Sequence, residues 1–85
     1  MTNGRLFRAV WMGYRIPNNL PLISPVWEWP WQAAAAAVVK HAGVIPQDLA
    51  KLGTLAHEAY LRVAKTTFTP YEQICFDAAA EAVLG

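Results

Sequence analysis

Read for the spacing of its apolar positions, the chain divides into a helical C-terminal part and a less regular N-terminal third. Between Ile45 and Lys65 apolar residues fall at Ile45, Leu49, Leu52, Ala56, Ala59 and Val63. Steps alternating between four and three trace one stripe down a helix. Lys51, Glu58, Arg62 and Lys65 lie off that stripe, and Glu58 precedes Arg62 by four residues, a favourable order for a helical ion pair. Gly53-Thr54 interrupts the pattern: glycine costs about 1 kcal/mol inside a helix, and Thr54 is able to cap a second start. The spacing therefore predicts either one helix bent at Gly53 or two short helices meeting there, over about 46–65.

Two more helices are predicted by their ends. Thr69-Pro70-Tyr71-Glu72 is a capping box with proline at the first helical position. It opens a helix over about 70–84, with Tyr71, Ile74, Cys75, Ala78 and Ala82 on one face and Phe76, Ala79 and Val83 widening it. Asp77 and Glu81 form its polar strip. Upstream, Pro30 suits a first helical turn. The run Ala33 to Ala37 is the best helix-forming stretch in the chain, and Gly43 follows Lys40 and His41 where a terminating glycine belongs. This predicts a helix over about 30–42.

The N-terminal third follows neither rule cleanly. Met1 to Gly4 reads as a loose end. Leu6 to Ile16 alternates Phe7, Ala9 and Trp11 against Leu6, Arg8, Val10, Met12 and Tyr14, and neither face is cleanly polar. That favours a strand covered on both sides, or a strand with a bulge at Gly13, with helix as the competing assignment. Pro17-Asn18-Asn19 is a turn signal. Prolines at 21, 25 and 30 then exclude a central strand or a long helix between them, leaving an extended segment or a short edge strand around Leu22 to Ser24. The expected fold is α+β and mostly α: one small domain over 1–85, its 1–29 region an aromatic, proline-rich β-hairpin or extended arm laid across three helices in 30–85.

Composition narrows the function more than it names one. Eighty-five residues, 55% hydrophobic and 15% charged, make one ordered domain with much apolar surface for its size. Four tryptophans, three tyrosines and three phenylalanines are hard to hide in so short a chain, which points to a partner or to self-association. The net charge of +1 argues against a general polyanion binder. Its distribution is uneven: Arg5, Arg8 and Arg15 have no acidic neighbour in the first segment, while Glu72, Asp77 and Glu81 have no basic neighbour in the last. That asymmetry fits either solvated faces or a first segment packed beside the last helix. A single cysteine, Cys75, excludes an internal disulfide and favours a reducing, cytoplasmic setting. No signal peptide is evident, and the run Ala33 to Val39 is too short to span a bilayer.

The sequence carries few groups arranged for chemistry. His57-Glu58 begins like a zinc-protease helix, but Leu61 stands where the second histidine belongs. His41, His57 and Cys75 are scattered over three predicted helices, so no metal and no cofactor are expected. Cys75 reads as a small core residue rather than a reactive thiol, and the lone Ser24 lacks the geometry of a nucleophile. The expectation is a protein without enzymatic activity. Leu49-Ala50 followed by Gly53 approaches a helix-turn-helix signature but is one residue short between Ala and Gly, and Arg5, Phe7, Arg8, Trp11 and Tyr14 combine cations with stacking rings, as single-strand binding would need. These keep a nucleic-acid-binding regulator as the alternative. The favoured expectation is a protein-binding module, an inhibitor or adaptor of the kind carried by phages and mobile elements, docking through Arg8, Trp11, Tyr14, Trp27, Trp29 and Trp31. Tryptophan, tyrosine and arginine are the residues enriched where binding energy concentrates. Against this stands the plain alternative that the tryptophans close over the alanine helix as core.

Overall fold

A computed structural model describes residues 2–18, 28–46, 48–67 and 73–85. It contains four helices, α1 (Asn3–Asn18), α2 (Glu28–His41), α3 (Leu49–Thr67) and α4 (Gln73–Leu84), and no strand among the described residues. The α+β expectation is overturned at Leu6–Ile16, the proposed first arm of the hairpin, which is helical throughout. Its buried residues are Gly4, Phe7 and Trp11, spaced three and four apart, with half-buried Val10 beside them. A 3.6-residue period runs through this segment together with the alternation. Its β-branched content is only Val10 and Ile16, so propensity does not hold it as a strand. The expected edge strand around Leu22 to Ser24 and the capping box at Thr69 to Glu72 lie outside the described residues.

The helix ends explain most of the shifted boundaries. Thr2 caps α1: its Oγ1 accepts from Arg5 N–H at 3.3 Å and its carbonyl accepts from Leu6 N–H at 2.9 Å. The supposed loose terminus is thus the start of a helix. At the other end Pro17 falls inside the last turn, where it cannot donate the usual helical bond to the Gly13 carbonyl and so helps to end α1, and the Asn18 side-chain amide donates to the Tyr14 carbonyl at 2.9 Å. Asp48 caps α3, accepting from Lys51 N–H at 3.1 Å through its carboxylate and from Leu52 N–H at 3.0 Å through its carbonyl. Pro46 therefore precedes the helix instead of opening it. Gly43 ends α2 as expected, with φ of 83° and two bonds, Gly43 N–H to Lys40 O at 3.0 Å and Val44 N–H to Val39 O at 2.8 Å. This is the paired bonding of a Schellman motif.

α3 runs without a break through Gly53-Thr54. Thr54 Oγ1 donates back to the Ala50 carbonyl at 3.0 Å, so it is used within the helix rather than as a new cap. The glycine serves a tertiary purpose. A Cβ there would stand 2.8 Å from Gln32 Cγ and 3.2 Å from Gln32 N, so α2 and α3 approach each other closely at this point.

α1 packs on α2 and α4, and α3 also packs on α2 and α4, with a lesser contact between α2 and α4. The first segment does lie beside the last helix. They come close at Gly4 and Asp77, whose carboxylate would overlap any Cβ at position 4. Asp77 also accepts from Gln73 Nε2 at 3.2 Å, so it is half-buried at a helix contact rather than on an open polar strip. The buried face of α4 is Cys75, Phe76, Ala79, Ala80 and Val83, while Ile74, expected inside, is half exposed at 49%.

At the centre is an aromatic cluster contributed by all four helices. Trp31 touches Phe7 at 5.7 Å, Trp11 at 5.4 Å, Tyr60 at 5.3 Å and the His57 ring at 4.8 Å between centroids. Phe76 closes the cluster on Phe7 and Tyr60. Tilted and edge-on geometry lets each ring edge meet a neighbouring face. Ala34, Ala35, Ala56, Ala59, Ala79 and Ala80 are all buried around it, and their small side chains let the helix backbones come close enough to enclose the rings.

Candidate docking surface

The six residues singled out in the sequence separate in space. Trp11 and Trp31 are each 1% exposed and pack against one another in the core. They hold the fold together, and in this arrangement they do not face a partner. Trp27 lies outside the described residues. Tyr14 and Trp29 reach the surface at 40% and 41% exposure and contact each other edge to face, with centroids 5.0 Å apart and planes at 85°. Arg8 is exposed, but it lies six positions before Tyr14, placing the two about 120° apart around α1. The buried seam of Phe7 and Trp11 lies between them. The expected single patch is therefore an aromatic ridge on one flank of α1 and arginines on the other.

Local sequence explains the ridge. Tyr14 lies one turn beyond Trp11 and two beyond Phe7, at the margin of the buried stripe. Trp29 lies two residues before Trp31 in the first turn of α2, where Pro30 is buried between them. A two-residue step on a helix turns the side chain through about 200°, so when Trp31 points inward Trp29 points out. Each ring is braced by the other, so neither loses much freedom on being covered. On the opposite flank Arg5, Arg8 and Arg15 share a stripe with Met12. Arg5 and Arg8 are exposed, and Arg15 is half-buried with its Nε enclosed and without a hydrogen-bond partner.

Further polar groups lie in the interior of the described structure. Trp11 Nε1, Trp31 Nε1 and His57 Nε2 are enclosed and without hydrogen-bond partners. Burial lowers the His57 pKa from its ordinary 6.5, with the nearby Glu58 carboxylate opposing that shift more weakly. Cys75 is fully buried. No group of three or more His, Cys, Asp or Glu among the described residues is arranged to hold a metal ion, and no described helix is long and apolar enough to cross a membrane. The helix-turn-helix reading loses its geometry, since the Leu49-Ala50 and Gly53 positions lie within one continuous helix.

Fold and surface together define the class: a small four-helix domain with an aromatic core and an exposed aromatic ridge. Comparison with protein-family models, with curated proteins and with solved structures finds no match to this chain.

Proposed function

We propose that the protein is a non-enzymatic protein-binding module, an inhibitor or adaptor, that docks through the ridge formed by Tyr14 and Trp29. The observation that carries this reading is their mutual edge-to-face contact at 5.0 Å while both remain about two-fifths exposed. Aromatic side chains held in place before binding lose little entropy when covered, and they contribute large apolar area per residue. Ile16, 68% exposed near the end of the same helix, adds apolar surface toward this end of the molecule. A single cysteine in the sequence suits action in the reducing cytoplasm.

Nucleic acid is the alternative partner, favoured by exposed Arg5 and Arg8 on a helix that carries no acidic residue. A salt series on captured material separates the two. Binding through the aromatic ridge changes little with salt and is lost in Trp29→Ala while circular dichroism stays native. Binding to phosphates falls steeply with salt and weakens instead in Arg8→Ala. Recovery of bulk nucleic acid with a steep salt slope, and of no protein, would overturn the protein-binding reading.

A further inference from the structure

A second apolar surface lies at the far end of α2 from Trp29, ten residues and about 15 Å along the helix. It is a groove of about 400 Å³ between the α2–α3 connector, the start of α3 and the end of α4. Buried Val39 and half-buried Leu52 line it, together with Leu55 and Leu84, exposed at 37% and 38%. The connector supplies Val44 and Ile45, exposed at 53% and 83%, the latter the most exposed large hydrophobic residue in the described structure. The Schellman turn at Gly43 holds the backbone of Val44, whose N–H donates to the Val39 carbonyl, directly before Ile45. The surface thus has a protruding apolar group and an apolar hollow side by side.

Its charges are balanced in the same way. Two of the lining residues are charged, Asp48 and Lys51, one acid and one base three residues apart on the first turn of α3. We infer that this face is a twofold interface between two copies of this chain, with Ile45 of each copy entering the groove of the other and Asp48 of each opposite Lys51 of the other. A twofold contact must be complementary to itself. A knob beside a hollow and an acid beside a base on one patch meet that condition. A separate partner would have to supply the mirror of both. The net charge of +1 leaves little repulsion between copies. This interface is independent of the Tyr14–Trp29 ridge, so either stands if the other fails.

Sedimentation of the full chain over a range from about 1 µM to about 1 mM tests it, because a dimer populates by mass action. The wild type is expected to pass from monomer to dimer. Ile45→Glu, at a position too exposed to support the fold, should remain monomeric with an unchanged helical spectrum. Lys51→Glu and Asp48→Lys should each weaken self-association by about tenfold or more, since each places like charges opposite one another. An equimolar mixture of these two variants should restore a dimer, the acidic face of one meeting the basic face of the other. Asp48→Asn, which keeps the helix cap and removes only the charge, should also weaken the dimer and serves if Asp48→Lys melts. A wild type that stays monomeric at the highest concentration would assign the groove to a different chain and overturn the proposal. A dimer indifferent to Ile45→Glu, or a mixture no tighter than its separate variants, would overturn it as well.

Discussion

Gly53 of α3 rests against the backbone of Gln32 of α2, so close that a methyl group at position 53 would come within 3.2 Å of Gln32 N and 2.8 Å of its Cγ. Two opposing effects meet in Gly53→Ala. Helix propensity favours alanine by about 1 kcal/mol, while the crossing has no room for it. Because a backbone atom is among those met, the steric effect wins, and a net loss of about 1–2 kcal/mol is expected. Gly13→Ala is the control: nothing lies within 4 Å of a Cβ there, so it should stabilise by about 0.5–1 kcal/mol. Urea unfolding of the two variants should move the midpoint in opposite directions, and equal shifts would mean that α2 and α3 are farther apart than described.

Trp29 and Trp31 are two residues apart and should behave oppositely. Trp31 joins rings from α1 and α3, so Trp31→Ala should cost about 3–5 kcal/mol and leave little folded protein. Trp29→Ala should leave the fold in place. A double-mutant cycle of Tyr14→Ala with Trp29→Ala should return a coupling of about 0.5–1.5 kcal/mol from the edge-to-face pair. Additive thermal shifts would show that the two rings do not touch in solution.

Ala35 is fully enclosed where α2 meets its neighbours. Ala35→Leu adds three carbons at a fully buried position and should destabilise by about 1–3 kcal/mol through displaced neighbours. The melting temperature measures this directly, and an unchanged value would mean that the alanine face is open.

His57 should make stability depend on pH. Desolvation lowers its pKa in the folded state below the ordinary 6.5, so the unfolded chain takes up the proton more readily. Its contribution is whole above about pH 6.5, falls as the pH drops from there to the lowered folded value, and is level below it. The wild type should therefore lose more melting temperature between about pH 7 and about pH 5 than His57→Phe, which keeps a ring against Trp31 and has nothing to protonate. Parallel pH profiles would remove His57 as the cause.

The three downstream helices were readable because their signals are local. Gly43 terminates α2 by its own left-handed backbone, and the alanines before it favour helix with or without neighbours. The error at α1 has a physical cause. Phe7, Trp11 and Tyr14 suit a helical stripe, Phe7, Ala9 and Trp11 suit an alternating strand, and only the partners available to bury Phe7 and Trp11 choose between them. A cap signal was present in Thr2, three residues before Arg5, as it was in Asp48 before Lys51. The candidate surface was legible only by residue type. Tryptophan spacing marks an aromatic region, but whether a ring faces inward depends on the helical phase of its segment, which separates Trp29 from Trp31.

By itself the sequence determined where α2 ends and that a small, aromatic-rich chain must form an ordered core; the stripe expected from Ile45 to Val63 holds only in part, since Ile45 and Leu49 are exposed and Tyr60, off that stripe, is buried. Those features arise from backbone preference and from interactions within a few residues. The tertiary structure alone decided that the first segment is a helix, that Gly53 is a contact point and not a hinge, and that Trp11 and Trp31 are core while Tyr14 and Trp29 are surface. Each of these depends on what stands opposite a residue across a helix interface, and a periodicity along one segment does not contain that information.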